Sequence, residues 1–180
     1  MKMPTTSDRC ARGFTLIEIL IALVIFSIGL LGLAGMQLRG SEGTNMAYFR
    51  SQATLLAQDM AERMHANRPA VNFDNAYAAM NSDGICAGAA PVPFCASRDG
   101  VTGASCTPAE MARFDLYTLA CSAEQLLPAA NISVDCNDAI DTDADPCTNG
   151  SPHTVTVTWN EINEGRAEPR DVTLTVVVMP

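Results

Sequence analysis

The sequence has no Cys-X-X-Cys pair, no glycine-rich phosphate loop and only two histidines, His65 and His153, far apart in the chain. Thioredoxin-type redox chemistry and nucleotide phosphate binding are therefore left without a motif. No nucleophile–base pattern is recognisable either, so the reading is of a non-enzyme with no cofactor. Basic residues are scarce: 11 Lys and Arg stand against 20 Asp and Glu, for a net charge of −9. Beyond residue 13 the counts are 8 and 19. Neither half offers the broad basic surface that nucleic acid requires.

Charge of either sign is missing from residues 19–38. As a helix, that run spans about 30 Å, the thickness of a bilayer core. A secretory signal peptide has a shorter apolar region, of about 7–15 residues, before a small-residue cleavage site. The longer run here is read as a membrane segment that stays attached. Lys2, Arg9 and Arg12 precede it, opposed only by Asp8. That asymmetry predicts a cytoplasmic N-terminus and a C-terminal part on the far side of the membrane.

Cysteine placement agrees. Cys10 lies before the run, and Cys86, Cys95, Cys106, Cys121, Cys136 and Cys147 lie after it. An even count in an exported, loop-rich region predicts up to three disulfides.

Glu18 stands near the start of the apolar run. At the centre of a membrane helix a carboxylate costs about 2.5–3.5 kcal/mol, and less near an end. One reading is favourable placement against the helix dipole, worth about 0.3–1 kcal/mol in the first turn. The neighbours supply another. Gly13-Phe14-Thr15-Leu16-Ile17-Glu18, after a short basic leader and before about 20 apolar residues, resembles the processing site of the type IV pilin family. The resemblance implies cleavage between Gly13 and Phe14 by a prepilin peptidase, then N-methylation of Phe14. Glu18 would become the fifth mature residue, the family's characteristic acid. In that family the acid is thought to meet the N-terminal amine of a neighbouring subunit during assembly. A contact with the chain's own Phe14 amine is the alternative, since residues four apart share a helix face.

After Leu38 the pattern turns amphipathic. Met46, Phe49, Ala53, Leu56, Met60 and Met64 recur at spacings of three or four. Pro69 disfavours helical geometry at Arg68, so the helix should stop near Asn67. One helix over about 15–65 would be near 75 Å long. Gly29, Gly32 and Gly35 are spaced by threes within it. They fit either close helix–helix contact or local unwinding in a filament; ordinary small-residue usage in a membrane helix fits equally. The stretch from Tyr48 to Arg68 resembles minor pilins of the PilV type.

Residues 70–106 are rich in Ala, Gly, Pro and Asn, and read as loops with little regular structure. Thr107-Pro108-Ala109-Glu110 is a helix start, with Thr as N-cap, Pro at N1 and Glu at N3. Leu116, Leu119, Ala123 and Leu126 give that helix one apolar face, and it should end near Leu127. Asn131–Cys136 reads as a short strand. His153–Glu161 and 171–179 alternate as strands, with a turn at 163–166 suggesting an antiparallel hairpin. The expected fold class is α+β: a long N-terminal helix packed on a small antiparallel-sheet head with Cys-rich loops. The expected segments are a leader (1–13), a membrane and assembly half (14–38), an amphipathic half (39–68) and a periplasmic head (69–180).

An intact helix over 108–127 would hold Cys106 and Cys121 about 20 Å apart, too far to bond. Cys136–Cys147 is the preferred bridge, though pairing is not fixed by sequence. Asp141, Asp143 and Asp145 resemble the opening of a calcium loop, but Pro146 replaces the required Gly and Pro152 the required Glu. A solvated acidic loop is preferred, leaving those three as weak metal candidates. Trp159 alternates with valines and reads as core.

The leading functional expectation follows from the resemblance. It is a minor type IV pilin that primes or modifies pilus assembly and so supports twitching motility or adhesion. Expected partners are other minor pilins, the major pilin, the prepilin peptidase/N-methyltransferase and an inner-membrane assembly platform. The expected location is the inner membrane, then the pilus fibre or tip. A minor pseudopilin of type II secretion would share the N-terminal motif. A membrane-tethered calcium-binding module is a third reading.

Overall fold

The computed structural model describes residues 13–97, 102–140, 145, 147–161 and 168–179. Residues 1–12 of the expected leader, Asp141, Asp143, Pro146 and the 163–166 turn lie outside the described residues.

Helix α1 runs unbroken from Leu16–Ala66 and ends before Pro69. It contributes to two compact units, the first ending at Gly43 and the second beginning at Thr44. In the first unit every described residue from Gly13 to Gly40 is exposed. A helix apolar on all sides belongs among apolar neighbours, and one 18-residue window here has a mean hydropathy of 2.7.

The second unit has its own core. A short helix, α2 (Arg68–Asn72), follows α1, and a three-residue strand, β1 (Ala79–Asn81), follows that. β1 and most of α2 lie where sequence predicted little regular structure. Arg68 opens α2 although it precedes Pro69, which takes a first-turn position where its missing N–H costs nothing. Helix α3 (Pro108–Leu126) opens on the expected capping box. Thr107 Oγ1 accepts from the Glu110 backbone N–H, and the Glu110 carboxylate accepts from the Thr107 backbone N–H at 2.8 Å. These bonds, the Thr107 backbone bond first, hold the Glu110 carboxyl below its ordinary pKa.

Strands β2 (Asn131–Cys136), β3 (His153–Glu161) and β4 (Arg170–Val178) complete an antiparallel meander in the order β1-β2-β3-β4. The last strand starts one residue earlier than sequence alternation suggests, because Arg170 pairs with Glu161. Register aligns Val134 with Val155 and Ile132 with Val157, while Val176 and Leu174 align with the same two β3 residues. One sheet face is thus continuously apolar, as the period of two requires. It joins Ala53, Leu56, Ala57, Met60 and Met64 of α1, and Leu116, Leu119 and Ala123 of α3, in one core. Trp159 and Tyr77 are among its largest fully buried side chains.

The five α1 side chains place the start of the head well before residue 69. The compact second unit, from Thr44 on, includes the C-terminal part of α1.

Three disulfides tie the loops: Cys86–Cys121, Cys95–Cys106 and Cys136–Cys147, with Cα separations of 4.9, 5.7 and 5.9 Å. Cys106 and Cys121 each bond elsewhere. Gly103 sits inside the second loop, where a Cβ would lie 2.6 Å from the Ala96 carbonyl carbon. Only a residue without a side chain fits that approach.

Candidate functional site

The N-terminal residues singled out by sequence cluster at the start of α1. Gly13, Phe14 and Thr15 precede the helix in open backbone. The backbone N–H groups of Glu18 and Ile19 donate to the Thr15 carbonyl at 3.1 and 3.3 Å. Thr15 and Glu18 thus hold the spacing of a capping box, N-cap and N3. Phe14 is 81% exposed. Phe14, Glu18, Ile19, Ala22, Leu23 and Phe26 line a shallow, open, mostly apolar groove. Because Phe14 lies outside the helix, the four-residue helical spacing does not itself seat its amine on Glu18.

Chemically this end presents an exposed Gly–Phe peptide bond, a single carboxylate and an apolar surround. Hydrolysis would convert Phe14 into an α-ammonium with an ordinary pKa near 8, opposite in charge to Glu18. Gly29, Gly32 and Gly35 lie further along. A Cβ built on any of them meets nothing within 4 Å, so no contact among the described residues of the chain demands glycine there. The helix does not break at these positions.

The second unit holds polar groups that sequence reasoning missed. Arg63 bonds Asp59 through Nε at 2.9 Å and Asp115 through Nη1 at 3.1 Å. Tyr77 donates its hydroxyl to the other Asp115 oxygen at 2.7 Å. Asn67 donates to the Tyr77 hydroxyl and, at 2.8 Å, to the Pro108 carbonyl. Burial lowers the Arg63 pKa, but the two carboxylates outweigh it and the net shift is upward. The Tyr77 hydroxyl is pushed well above its ordinary value, by burial first and then by Asp115. These bonds lock the end of α1 to α3. The one signal in sequence was an Asp between Phe114 and Leu116 on a helix otherwise buried there.

Asp138 organises the loop after β2. Its Oδ1 accepts from the backbone N–H groups of Thr148 and Ile140 and from the Ser151 hydroxyl. Hydrogen bonds from Thr148, side chain first and then backbone, and from Ile140 and Ser151, hold its carboxyl below the usual range. Asp145, one of the three weak metal candidates, is exposed and accepts from Asn75 Nδ2 at 2.6 Å.

His153, which no sequence motif joins to another polar residue, is buried at the start of β3, with Nε2 3.6 Å from Cys147 Sγ and Nδ1 3.1 Å from the Ser151 carbonyl. Burial lowers its pKa, and the Ser151 bond works the other way. His65, by contrast, is exposed on α1.

Two family models match the chain in adjacent stretches. Residues 8–34 match the prokaryotic N-terminal methylation motif, which contains Gly13, Phe14 and Glu18. Residues 35–117 match the Tt1218-like family, described as type IV pilin Tt1218. The chain is type IV pilin-like. No curated protein and no solved structure gives a significant match. The α+β arrangement, with a long apolar N-terminal helix, a four-stranded antiparallel sheet and three disulfides, is consistent with a pilin. The matched family is one of type IV pilins, and the matched motif is one of N-terminal methylation.

Proposed function

We propose that the chain is a minor type IV pilin of the PilV type, a structural subunit that primes or modifies pilus assembly. The observation that carries the reading is the apolar N-terminal stretch of α1, Leu16 to Leu38, with its single acid. The helix between Leu16 and Leu38 is exposed throughout, and Glu18 is its only charge before Arg39. Apolar side chains on every side call for lipid before assembly and for other subunits afterwards.

The mechanism follows from charge. The basic residues before the helix hold the leader on the cytoplasmic side. Water adds across the Gly13–Phe14 peptide bond, leaving a carboxylate on Gly13 and an ammonium on Phe14. Methyl transfer keeps that nitrogen cationic. A carboxylate in low dielectric needs a hydrogen-bonded counter-charge. The Phe14 amine of a neighbouring subunit supplies it and sets the axial register between the two helices. The head remains outside the membrane, where three disulfides stabilise its small core. Its partners are other minor pilins and the major pilin, and its support of twitching motility or adhesion acts through them.

A minor pseudopilin would carry the same N-terminal features. The match over 35–117 is to a family described as type IV pilin, which favours the pilus. The test is the peptide content of sheared, washed filaments from cells expressing Glu18→Gln or the natural chain at equal membrane levels. The proposal expects the natural chain in filaments and at least tenfold less of the variant. Equal incorporation would overturn the assembly role of Glu18, and absence of both would overturn the pilus reading.

A further inference from the structure

The β2–β3 register places Cys136 directly opposite His153 at one end of the sheet's inner face. The third disulfide brings Cys147 to the same point. One sulfur from each cysteine and one His153 ring nitrogen lie within 4.8 Å of one another. Three donors of this kind, from two strands and a loop, suit a thiophilic d10 cation such as zinc.

We propose that Cys136, Cys147 and His153 form a reduction-gated zinc-type site, in which the disulfide and the metal exclude each other. Three features support it. First, the ring is already oriented. With Nδ1–H donating to the Ser151 carbonyl, the lone pair of Nε2 is left facing Cys147 Sγ at 3.6 Å. A backbone carbonyl on the far nitrogen is the usual partner of a metal-binding histidine.

Second, the distance fits. Bond lengths of about 2.3 Å to sulfur and 2.05 Å to nitrogen at a tetrahedral centre put the two ligand atoms about 3.6 Å apart. The same geometry holds two sulfurs about 3.7 Å apart, whereas a disulfide holds them at about 2.05 Å. Bridge and metal therefore cannot coexist.

Third, the oxidised state leaves a donor-less contact. His153 is 1% exposed, and the disulfide-bonded sulfur beside Nε2 carries no hydrogen to donate. A buried acceptor of this kind is expensive to leave without a partner. Reduction supplies a thiol proton, and a cation supplies a stronger partner.

The exchange balances. A dithiol reductant delivers two electrons and two protons to the Cys136–Cys147 bond and itself becomes a disulfide. The cation then displaces both thiol protons. Two thiolates, one neutral imidazole and a divalent cation leave the buried site uncharged, which suits low dielectric. Three protein donors leave the fourth tetrahedral position to water.

The test uses the full chain in detergent, with Cys10→Ser, reduced with a phosphine and titrated with cobalt(II) as the zinc analogue. The expected result is one cobalt per chain in the reduced protein, with thiolate-to-cobalt charge-transfer bands in the near ultraviolet, and none in the oxidised protein. His153→Gln should weaken binding by roughly 100-fold. Cys86→Ser/Cys121→Ser should leave it in place. In the natural sequence, zinc should protect Cys136 and Cys147 from alkylation while the other thiols react; this readout needs no variant. Absence of charge-transfer bands, or equal alkylation of all seven thiols with zinc present, would overturn the proposal. So would unchanged affinity in His153→Gln.

Discussion

Arg63 of α1 and Asp115 of α3 are joined by an ion pair at 3.1 Å, with Asp115 only 7% exposed and Arg63 32%. The pair sits where the end of the first helix meets the third, and Tyr77 occupies the second Asp115 oxygen. Removing one partner of a buried pair leaves the other charge without compensation. The usual cost is about 3–5 kcal/mol, and the partial exposure of Arg63 places this pair at the low end. Asp115→Ala should therefore destabilise the second unit by about 3 kcal/mol in a denaturant titration followed by Trp159 fluorescence. A loss below about 0.5 kcal/mol, typical of a surface substitution, would contradict a structural role for the pair.

The boundary of the folded head makes a second prediction. Ala53, Leu56, Ala57, Met60 and Met64 are all buried in its core. Fully burying one large aliphatic side chain contributes about 1.5–3 kcal/mol. Losing Leu56, Met60 and Met64 together removes an amount comparable with the whole stability of a small domain, about 5–15 kcal/mol. A fragment of residues 44–180 should unfold cooperatively, and one of 69–180 should not. Circular dichroism melts of the two fragments decide it.

Asp138 makes the loop after β2 sensitive to acid. Its folded pKa is lowered from the model-peptide value of 3.8. Its contribution to stability is therefore fully present above about pH 5, falls as pH drops through 3.8, and is gone below the depressed folded value. Amide exchange at Ile140 and Thr148, measured down to about pH 2, should lose protection over that range before the β2–β3 ladder does. Asp138→Ala should remove the pH dependence and leave both amides unprotected at neutral pH. An unaltered profile in the variant would contradict the assignment.

The long elements were legible because each carries a repeating physical signal. Valine–threonine alternation marks β3 over His153–Glu161, and Thr107-Pro108-Ala109-Glu110 marks the start of α3. The end of α1 is written in Pro69. The short strand β1 has no such signal, since three residues cannot show a period. It forms because Ala79 finds Asp135 and Asn81 finds Ser133 across the chain. The same reason hides the Cys86–Cys121 bridge, the Arg63–Asp115 pair and the approach of His153 to Cys147. Each is a meeting of residues far apart in sequence or separated by a loop, and no local pattern reports it. Glu18 was legible for the opposite reason: one charge among apolar neighbours stands out by its cost.

The intact mass and N-terminal peptide of the chain, isolated from envelopes of cells with active prepilin peptidase, test the pilin assignment most directly. The prediction is a mature protein that begins at N-methylated Phe14 and lacks residues 1–13. A chain still carrying Gly13, from cells that process their other pilins, would contradict it and leave Glu18 as a helix-end acid.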